Sequence, residues 1–421
     1  MKIKHLSLAE FDTFANTHPL RSYHQTSSYG IMMAENGFDY DLIGFVDETN
    51  NILAASLILF KKIDLFNKYG YAPKGFLIDY HNQELVKAFT NALKKYYYPK
   101  NVAFIKINPE IAVGEININD KTIKYNDNAS ITNILENCNC RKLKNNKRFE
   151  ALLPRFNAII PLTQISFSKL AKQARNKIRK SISKGLYIEK AHQEDLNTLY
   201  PFIKDKDGHS QAYYNNYFNV YSKLNAIDIF LIKVDYEECL IKARDNYDKA
   251  VEENSKLIKK VMQDNSEENL TQKMQSDRLV LNYKNDILEA TKGLTENRYR
   301  YIAGCITIKY QNRVAILVSG FDIKHKRFNP NYFMHYKLIE YYQKNFDYLD
   351  LNGITGDFDK SNPYLGLNEF KFCFKPLAYE YIGEFDFIIN EGIYKGLESS
   401  GILFKEFNKN KKHRSEMHPL W

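Results

Sequence analysis

The stretch that decides how this chain is read runs from Asp347 to Phe387, DYLDLNGITGDFDKSNPYLGLNEFKFCFKPLAYEYIGEFDF. Tyr348-Leu349-Asp350-Leu351 alternates apolar and polar residues, the period of a half-buried strand. Asn352-Gly353 and Gly356-Asp357 punctuate a loop, since Asn and Gly tolerate the backbone that tight turns need. A short helix start follows, then an apolar run read as a long strand. Inside that run a cation, Lys371, stands between Phe370 and Phe372. Strand side chains alternate between faces, so spacing alone turns Lys371 to solvent, opposite the aromatics.

Upstream, Asn331 to Gln343 is a helix carrying Tyr332, His335, Tyr336 and Ile339. Val314–Gly320, Tyr301–Tyr310 and Ile227–Val234 are strands. Between the last two, residues 236–296 lack proline, lack glycine until Gly293, and are densely charged. Leu240, Ala243, Tyr247, Ala250, Asn254, Leu257 and Val261 alternate three and four apart, a coiled-coil seam. QDNSEEN breaks it, and Val280, Tyr283, Ile287, Ala290 and Leu294 resume it. The flanking strands require the chain to return, so this is an antiparallel helical hairpin inserted between neighbouring strands of one sheet.

Further back, Ser166 and Ser168 can cap a helix running to Ser183, with Gly185 as its stop. Leu170, Ala174 and Ile178 form its buried stripe. The remainder carries Lys169, Lys172, Arg175, Lys177, Arg179, Lys180 and Lys184. Such a face is either merely solvated or a phosphate-binding surface; on the second reading Lys172, Arg175, Arg179 and Lys180 bind RNA. The N-terminal part reads as strands at Asp41–Phe45 and Ile52–Phe60, a helix at Asn82–Tyr98 with Leu85, Phe89 and Leu93 on one face, and a strand at Val102–Ile107. Residues 114–146 are polar and Asn-rich and take no assignment; Arg141–Arg148 is a basic run.

With 421 residues the chain has room for two or three domains. Its 60 basic and 50 acidic residues give +10, which suits an anionic partner, although Lys and Asn enrichment can also reflect genome composition. The five cysteines are scattered; Cys138 and Cys140 have no second pair to complete a zinc site. No metal and no cofactor is expected. No run approaches the roughly 18 apolar residues of a membrane span, and the N-terminus lacks an apolar leader core. The expectation is a soluble, cytoplasmic protein whose membrane contact, if any, is peripheral.

Taken together these segments resemble the Fem family of aminoacyl-tRNA-dependent peptidoglycan peptidyltransferases. The resemblance spans nearly the whole chain. It is carried by YHQTSSYGIMMAENGFDYDLIGF, GFLIDYHNQELVKAF, ARNKIRKSISKGL and VSGFDIKHKRFNPNYFMHYKLIEYY, and most specifically by DLNGITGDFD, NEFKF and YEYIGEFD. IKINPEI is similar to a segment where the family usually has Asp-Pro, and Asn108 stands there. The resemblance implies an α/β (α+β) chain of two acetyltransferase-like (GNAT-like) units. Residues 1–155 would form the first and 156–235 with 297–400 the second; 236–296 would be the coiled-coil arm and 401–421 a basic tail. It also implies transfer of an amino acid from aminoacyl-tRNA to an amine of a peptidoglycan precursor, lipid II or UDP-MurNAc-peptide, at the inner face of the plasma membrane.

By the same resemblance Phe370 and Lys371 serve the reaction centre, and Gly353 and Asp357 belong to the substrate loop. Two positions depart from the family pattern. Met33 stands where a precursor-binding lysine is common, with Asn36 as the alternative. His209 with Tyr213 stands where an Arg and a Tyr usually hold the precursor phosphates. A neutral His binds phosphate more weakly than Arg. Two other functions remain in contention. An acyl-CoA-dependent N-acyltransferase would need a Gly-rich pyrophosphate turn, which the chain lacks. A non-catalytic RNA-binding protein would leave Lys371 and its loop unexplained.

Overall fold

The computed structural model describes residues 1–143, 147–148, 152–206 and 208–401. Part of the basic run at 141–148 and almost all of the expected 401–421 tail fall outside these residues.

Two sheets make the frame. The first has seven strands in the order Lys2–His5, Asp39–Val46, Ile52–Lys62, Lys68–Ala72, Val102–Ile107, Phe385–Ile388, Cys140–Lys142. The second has nine, in the order Leu186–Ala191, Ile227–Asp235, Tyr299–Tyr310, Arg313–Phe321, Tyr348–Ile354, Phe156–Pro161, Leu377–Tyr381, Ala112–Ile116, Ile123–Tyr125. Each sheet contains one parallel pair, Lys68–Ala72 with Val102–Ile107 and Arg313–Phe321 with Tyr348–Ile354. A parallel pair needs a crossover, and in both cases it is a helix: Gln83–Tyr97 in one, Pro330–Tyr342 in the other. The first crossover buries Phe89 and Leu93, as the sequence spacing requires, at a gain of roughly 1.5–3 kcal/mol for each side chain.

Strand pairing crosses residue 155 in both directions. Ala112–Ile116 and Ile123–Tyr125 leave the first segment and extend the second sheet through Leu377–Tyr381. In return, Phe385–Ile388 inserts between Val102–Ile107 and Cys140–Lys142 of the first. The exchange is pinned by a buried ion pair, Lys106 Nζ to Asp386 at 2.7 Å.

Residues 236–296 form two long helices, Tyr236–Gln263 and Glu267–Glu296, between the adjacent antiparallel strands Ile227–Asp235 and Tyr299–Tyr310. The break is shorter than QDNSEEN, since the second helix already starts at Glu267. Asp235 caps the first helix, accepting from the amides of Glu237 and Glu238, and pairs with Arg298 at 3.0 Å, which closes the base of the hairpin. Asn254 reaches across to Asp277 at 2.8 Å, so the helices run antiparallel. Gly293 is required there: a Cβ at this position would run into the Tyr236 ring.

The basic helix is shorter than Ser166–Ser183. It spans Lys172–Ser183; Phe167–Lys169 is a separate turn and Leu170 is extended. The Ser166 and Ser168 hydroxyls bond each other at 3.0 Å instead of capping. The stripe Leu170, Ala174, Ile178 is buried as expected.

Candidate active site

The apolar run with Lys371 is not a strand. Leu365–Phe372 is a helix, and Lys371 lies in its last turn. Phe370, Phe372 and Phe374 imitate strand alternation, but Tyr364, Leu367, Asn368 and Lys371 repeat at three, four and seven, one helical face. Two asparagines fix the choice. Asn362 accepts from the Tyr364 amide at 3.0 Å and starts the turn. Asn368, buried, donates to the Thr355 carbonyl and accepts from its amide, both at 2.9 Å. The helix is thereby stapled to the loop behind Tyr348–Ile354.

Lys371 points inward and is 7% exposed. Its Nζ donates to the Gly353 carbonyl at 2.5 Å. That carbonyl is available because the strand is irregular between Asp350 and Gly353, with Asn352 at φ 65°. Burial pushes the Lys371 ammonium down to about 7, with Asp350 opposing the shift. Asp350 is held by Arg313, by Asn157 at 2.9 Å and by the Asn352 amide at 2.7 Å. Arg313 also bonds Glu110 at 2.5 Å, and Lys74 lies 3.5 Å from the same carboxylate. Burial would raise the Glu110 carboxyl, yet Arg313 and Lys74 hold it at about 2. A chain of alternating charge, buried at Lys74, Asp350 and Lys371 and partly exposed at Glu110 and Arg313, therefore runs across both sheets.

Lys371 opens onto a cleft of about 400 Å³. One wall is made by Tyr23, His24 and, one turn apart on the helix Ser27–Glu35, Tyr29 and Met33. The second comes from His209 and the helix Gln211–Tyr221, through Tyr213 and Tyr217. The third is the end of Arg313–Phe321 with Asn331, Met334 and His335, and the floor is Gly353, Phe370 and Lys371. His209 stacks on Tyr213 with centroids 3.7 Å apart, and Tyr213 and Tyr217 hydroxyls meet at 3.4 Å. Phe370 stands edge-on to Tyr332 and His335, each centroid 4.9 Å away. His335 Nδ1 bonds the Asn331 carbonyl at 2.8 Å. Burial, and then Lys371, lower its imidazole to about 4. His24 is driven to about 3 by burial and Lys74, so both histidines are neutral near pH 7.

Met33, His209, Tyr213, Gly353, Phe370 and Lys371 thus come together from distant parts of the chain. Asp357 does not. It turns away, accepts from Arg148 Nε at 3.2 Å and from the Asp359 amide at 3.1 Å, and does not line the cleft. Asn36 caps its helix and accepts from Asn216 at 3.0 Å, so it ties two walls together. Lys172, Arg175, Arg179 and Lys180 are outside the cleft. Their helix nevertheless touches its edge: Lys177 donates to the Tyr332 hydroxyl at 3.1 Å, and Tyr332 packs on Phe370. A wider depression of about 960 Å³ lies over Asp228, Lys309 and Glu340; Asp228 is already engaged by Lys190, Lys309 and Tyr342, and no predicted site residue lines it. His335, Asn331, Tyr217 and the Asp350–Arg313–Glu110 chain escaped the sequence reading. The four-residue step from Asn331 to His335 was the one local signal for the first two.

The mixed α/β fold matches known architecture. The solved structure of FemX superposes with a TM-score of 0.69 at 22% identity, covering 94% of this chain and 100% of that one. Lipid II:glycine glycyltransferase of Staphylococcus aureus is 24% identical over 417 residues, 94% of this chain and 95% of that protein. The FemAB family profile matches residues 6–399. The chain belongs to the FemAB family.

Proposed function

We propose that this chain is an aminoacyltransferase that moves an amino acid from aminoacyl-tRNA to an amine of the stem peptide of a lipid-linked peptidoglycan precursor. The observation that carries the reading is Lys371, buried at the floor of a two-sheet cleft and bonded to a carbonyl instead of a carboxylate. In ester aminolysis the amine nitrogen attacks the ester carbon, an amide forms, and the ester C–O bond to the tRNA ribose breaks. A proton must travel from the amine to the leaving oxygen. A lysine titrating near 7 can take it as the C–N bond forms. It is then an ammonium beside the oxyanion, and it gives the proton to the ribose oxygen. Phe370, packed between Tyr332 and His335, shapes the site and keeps water from the ester.

The acceptor side is mostly aromatic, with Tyr23, Tyr29, Tyr213, Tyr217 and His209 beside Met33 and a cation, Lys206. Both precursor types carry a diphosphate, so the lining does not separate them; the similarity to a lipid II:glycine glycyltransferase is what favours a lipid-linked acceptor over a nucleotide-linked one. The exposed Lys172, Arg179 and Lys180 and the partly buried Arg175 would hold the tRNA backbone, one ring away from Phe370. On this reading the two sheets belong to two GNAT-like units, residues 236–296 are a coiled-coil arm, and the enzyme works at the inner face of the plasma membrane. Among the described residues no helix is long and apolar enough to cross a membrane.

The test is transfer itself. Purified protein, a panel of charged tRNAs and both precursor types should give a branched, labelled product with the lipid-linked acceptor, and Lys371→Ala should abolish most of it. No product with any combination would overturn the proposal.

A further inference from the structure

The hairpin joining the strands Ile52–Lys62 and Lys68–Ala72 ends in Asp64-Leu65-Phe66-Asn67. Leu65 is 91% exposed and Phe66 79%. Two large apolar side chains side by side at a tip contribute nothing to the core and are a liability in water. The tip is nevertheless firmly built. Asp64 Oδ1 accepts from the Phe66 and Asn67 amides, both at 2.7 Å, and its Oδ2 accepts from Asn67 Nδ2 at 3.0 Å. The Ile63 amide donates to the Asn67 carbonyl at 2.8 Å. These groups therefore need no water, which removes much of the penalty for leaving it.

Behind the tip is a basic collar. Lys62 and Lys68 face each other directly across the hairpin, and Lys61 is opposite Tyr69. Like charges in direct opposition destabilise a strand pair; Lys68 offsets part of this by lying over the Phe60 ring at 4.6 Å, and Lys61 lies over Phe38 at 5.7 Å. The acids nearby are Asp64, turned into its own loop, and Asp39, opposite Phe60 on the neighbouring strand. Apolar residues leading and lysines following is the order needed to enter the boundary of an anionic bilayer.

We propose that Leu65 and Phe66 insert into an anionic lipid surface, with Lys61, Lys62 and Lys68 at headgroup level. Its purpose rests on the lipid-linked acceptor proposed above. Tyr71, which lines the cleft, follows Lys68 by three residues on the same strand, roughly 10 Å. A docked tip would hold the cleft within reach of a precursor anchored in the same membrane.

The test uses vesicles without any acceptor, so it can fail while the transferase reading stands. The full chain should sediment with phosphatidylcholine vesicles containing phosphatidylglycerol and much less with phosphatidylcholine alone. Leu65→Ser with Phe66→Ser should lower the partition at least about ten-fold. Lys61→Gln and Lys62→Gln should each lower it about five-fold, an effect that salt abolishes. The serine changes lie on an exposed turn and the glutamine changes at two exposed positions ending the strand Ile52–Lys62, and unchanged thermal unfolding would show that the fold is intact. A Phe66→Trp variant should shift its emission to the blue on anionic vesicles and be quenched by brominated lipid. Equal binding by the serine variant, unshifted emission from the Phe66→Trp variant, or a concentration-dependent dimer that requires Leu65 and Phe66 without vesicle binding would each overturn the proposal.

Discussion

Lys106 and Lys371 are both buried, the first on a strand of the seven-stranded sheet and the second on the short helix beside Tyr348–Ile354, and their surroundings are opposite. Lys106 is 0% exposed and meets Asp386 at 2.7 Å, a carboxylate that also accepts from the Tyr394 hydroxyl at 2.9 Å. Lys371 is 7% exposed and meets a carbonyl; among the described residues no carboxylate lies within ion-pair distance of it. Asp350 acts on it only through space. A lysine that ties two strands of one sheet together is given a counter-ion. The lysine proposed to exchange a proton is denied one, so that both of its protonation states are reachable near pH 7.

The comparison breaks first, if it is wrong, in stability. Lys106→Ala strands Asp386 in the core and should destabilise by about 3–5 kcal/mol in urea unfolding, with kcat per folded molecule retained. Lys371→Met should do the reverse, lowering transfer about 10²–10³-fold while leaving the urea midpoint unchanged or raised. If the two variants behaved alike, the distinction between a structural and a reactive lysine would be lost.

The pH dependence sharpens it. The Lys371 pKa falls from an ordinary 10.5 to about 7 on folding. Between those values the unfolded chain carries the extra proton, so this lysine makes stability rise with pH across that window. Below about 7 both states are protonated and its contribution is least favourable. Comparing unfolding of the native protein and Lys371→Met from pH 7 to pH 10 should reveal the difference in slope. The same group should give kcat an acid limb near pH 7. Asp350→Asn removes an influence that raises the lysine, so that limb should move to lower pH in a rate profile. Smallest of all, Asp357→Asn should leave kcat/KM unaltered and stability within about 0.5 kcal/mol, because Asp357 faces Arg148 and not the cleft.

Segments whose periodicity is long were legible in the sequence. The insertion of 236–296 between two adjacent strands and the buried stripes of the basic and crossover helices follow from residue spacing alone. The eight-residue helix at Lys371 was not legible as a helix, because three phenylalanines at alternate positions outweigh a pattern that completes only two turns. Asn362 and Asn368, which decide the matter, act through partners at Thr355 and Asp357 that no local window includes. The strand exchange was equally hidden. Ala112–Ile116 and Ile123–Tyr125 are short, sit in an Asn-rich stretch, and find their place only through a strand more than 250 residues further on. The cleft was half legible: the resemblance placed Met33, His209, Tyr213, Gly353, Phe370 and Lys371, while the charge chain that tunes Lys371 depends on contacts between sheets.

The exchange of strands also has a consequence for how the protein is made. The first sheet lacks an interior strand until Phe385–Ile388 arrives, so its edges at Val102–Ile107 and Cys140–Lys142 stay unpaired during most of synthesis. The N-terminal half cannot be completed on the ribosome ahead of the C-terminal half, contrary to the usual domain-by-domain order. A chain truncated before residue 385 should therefore be taken up by chaperones or aggregate, whereas release of the full-length chain closes both sheets together.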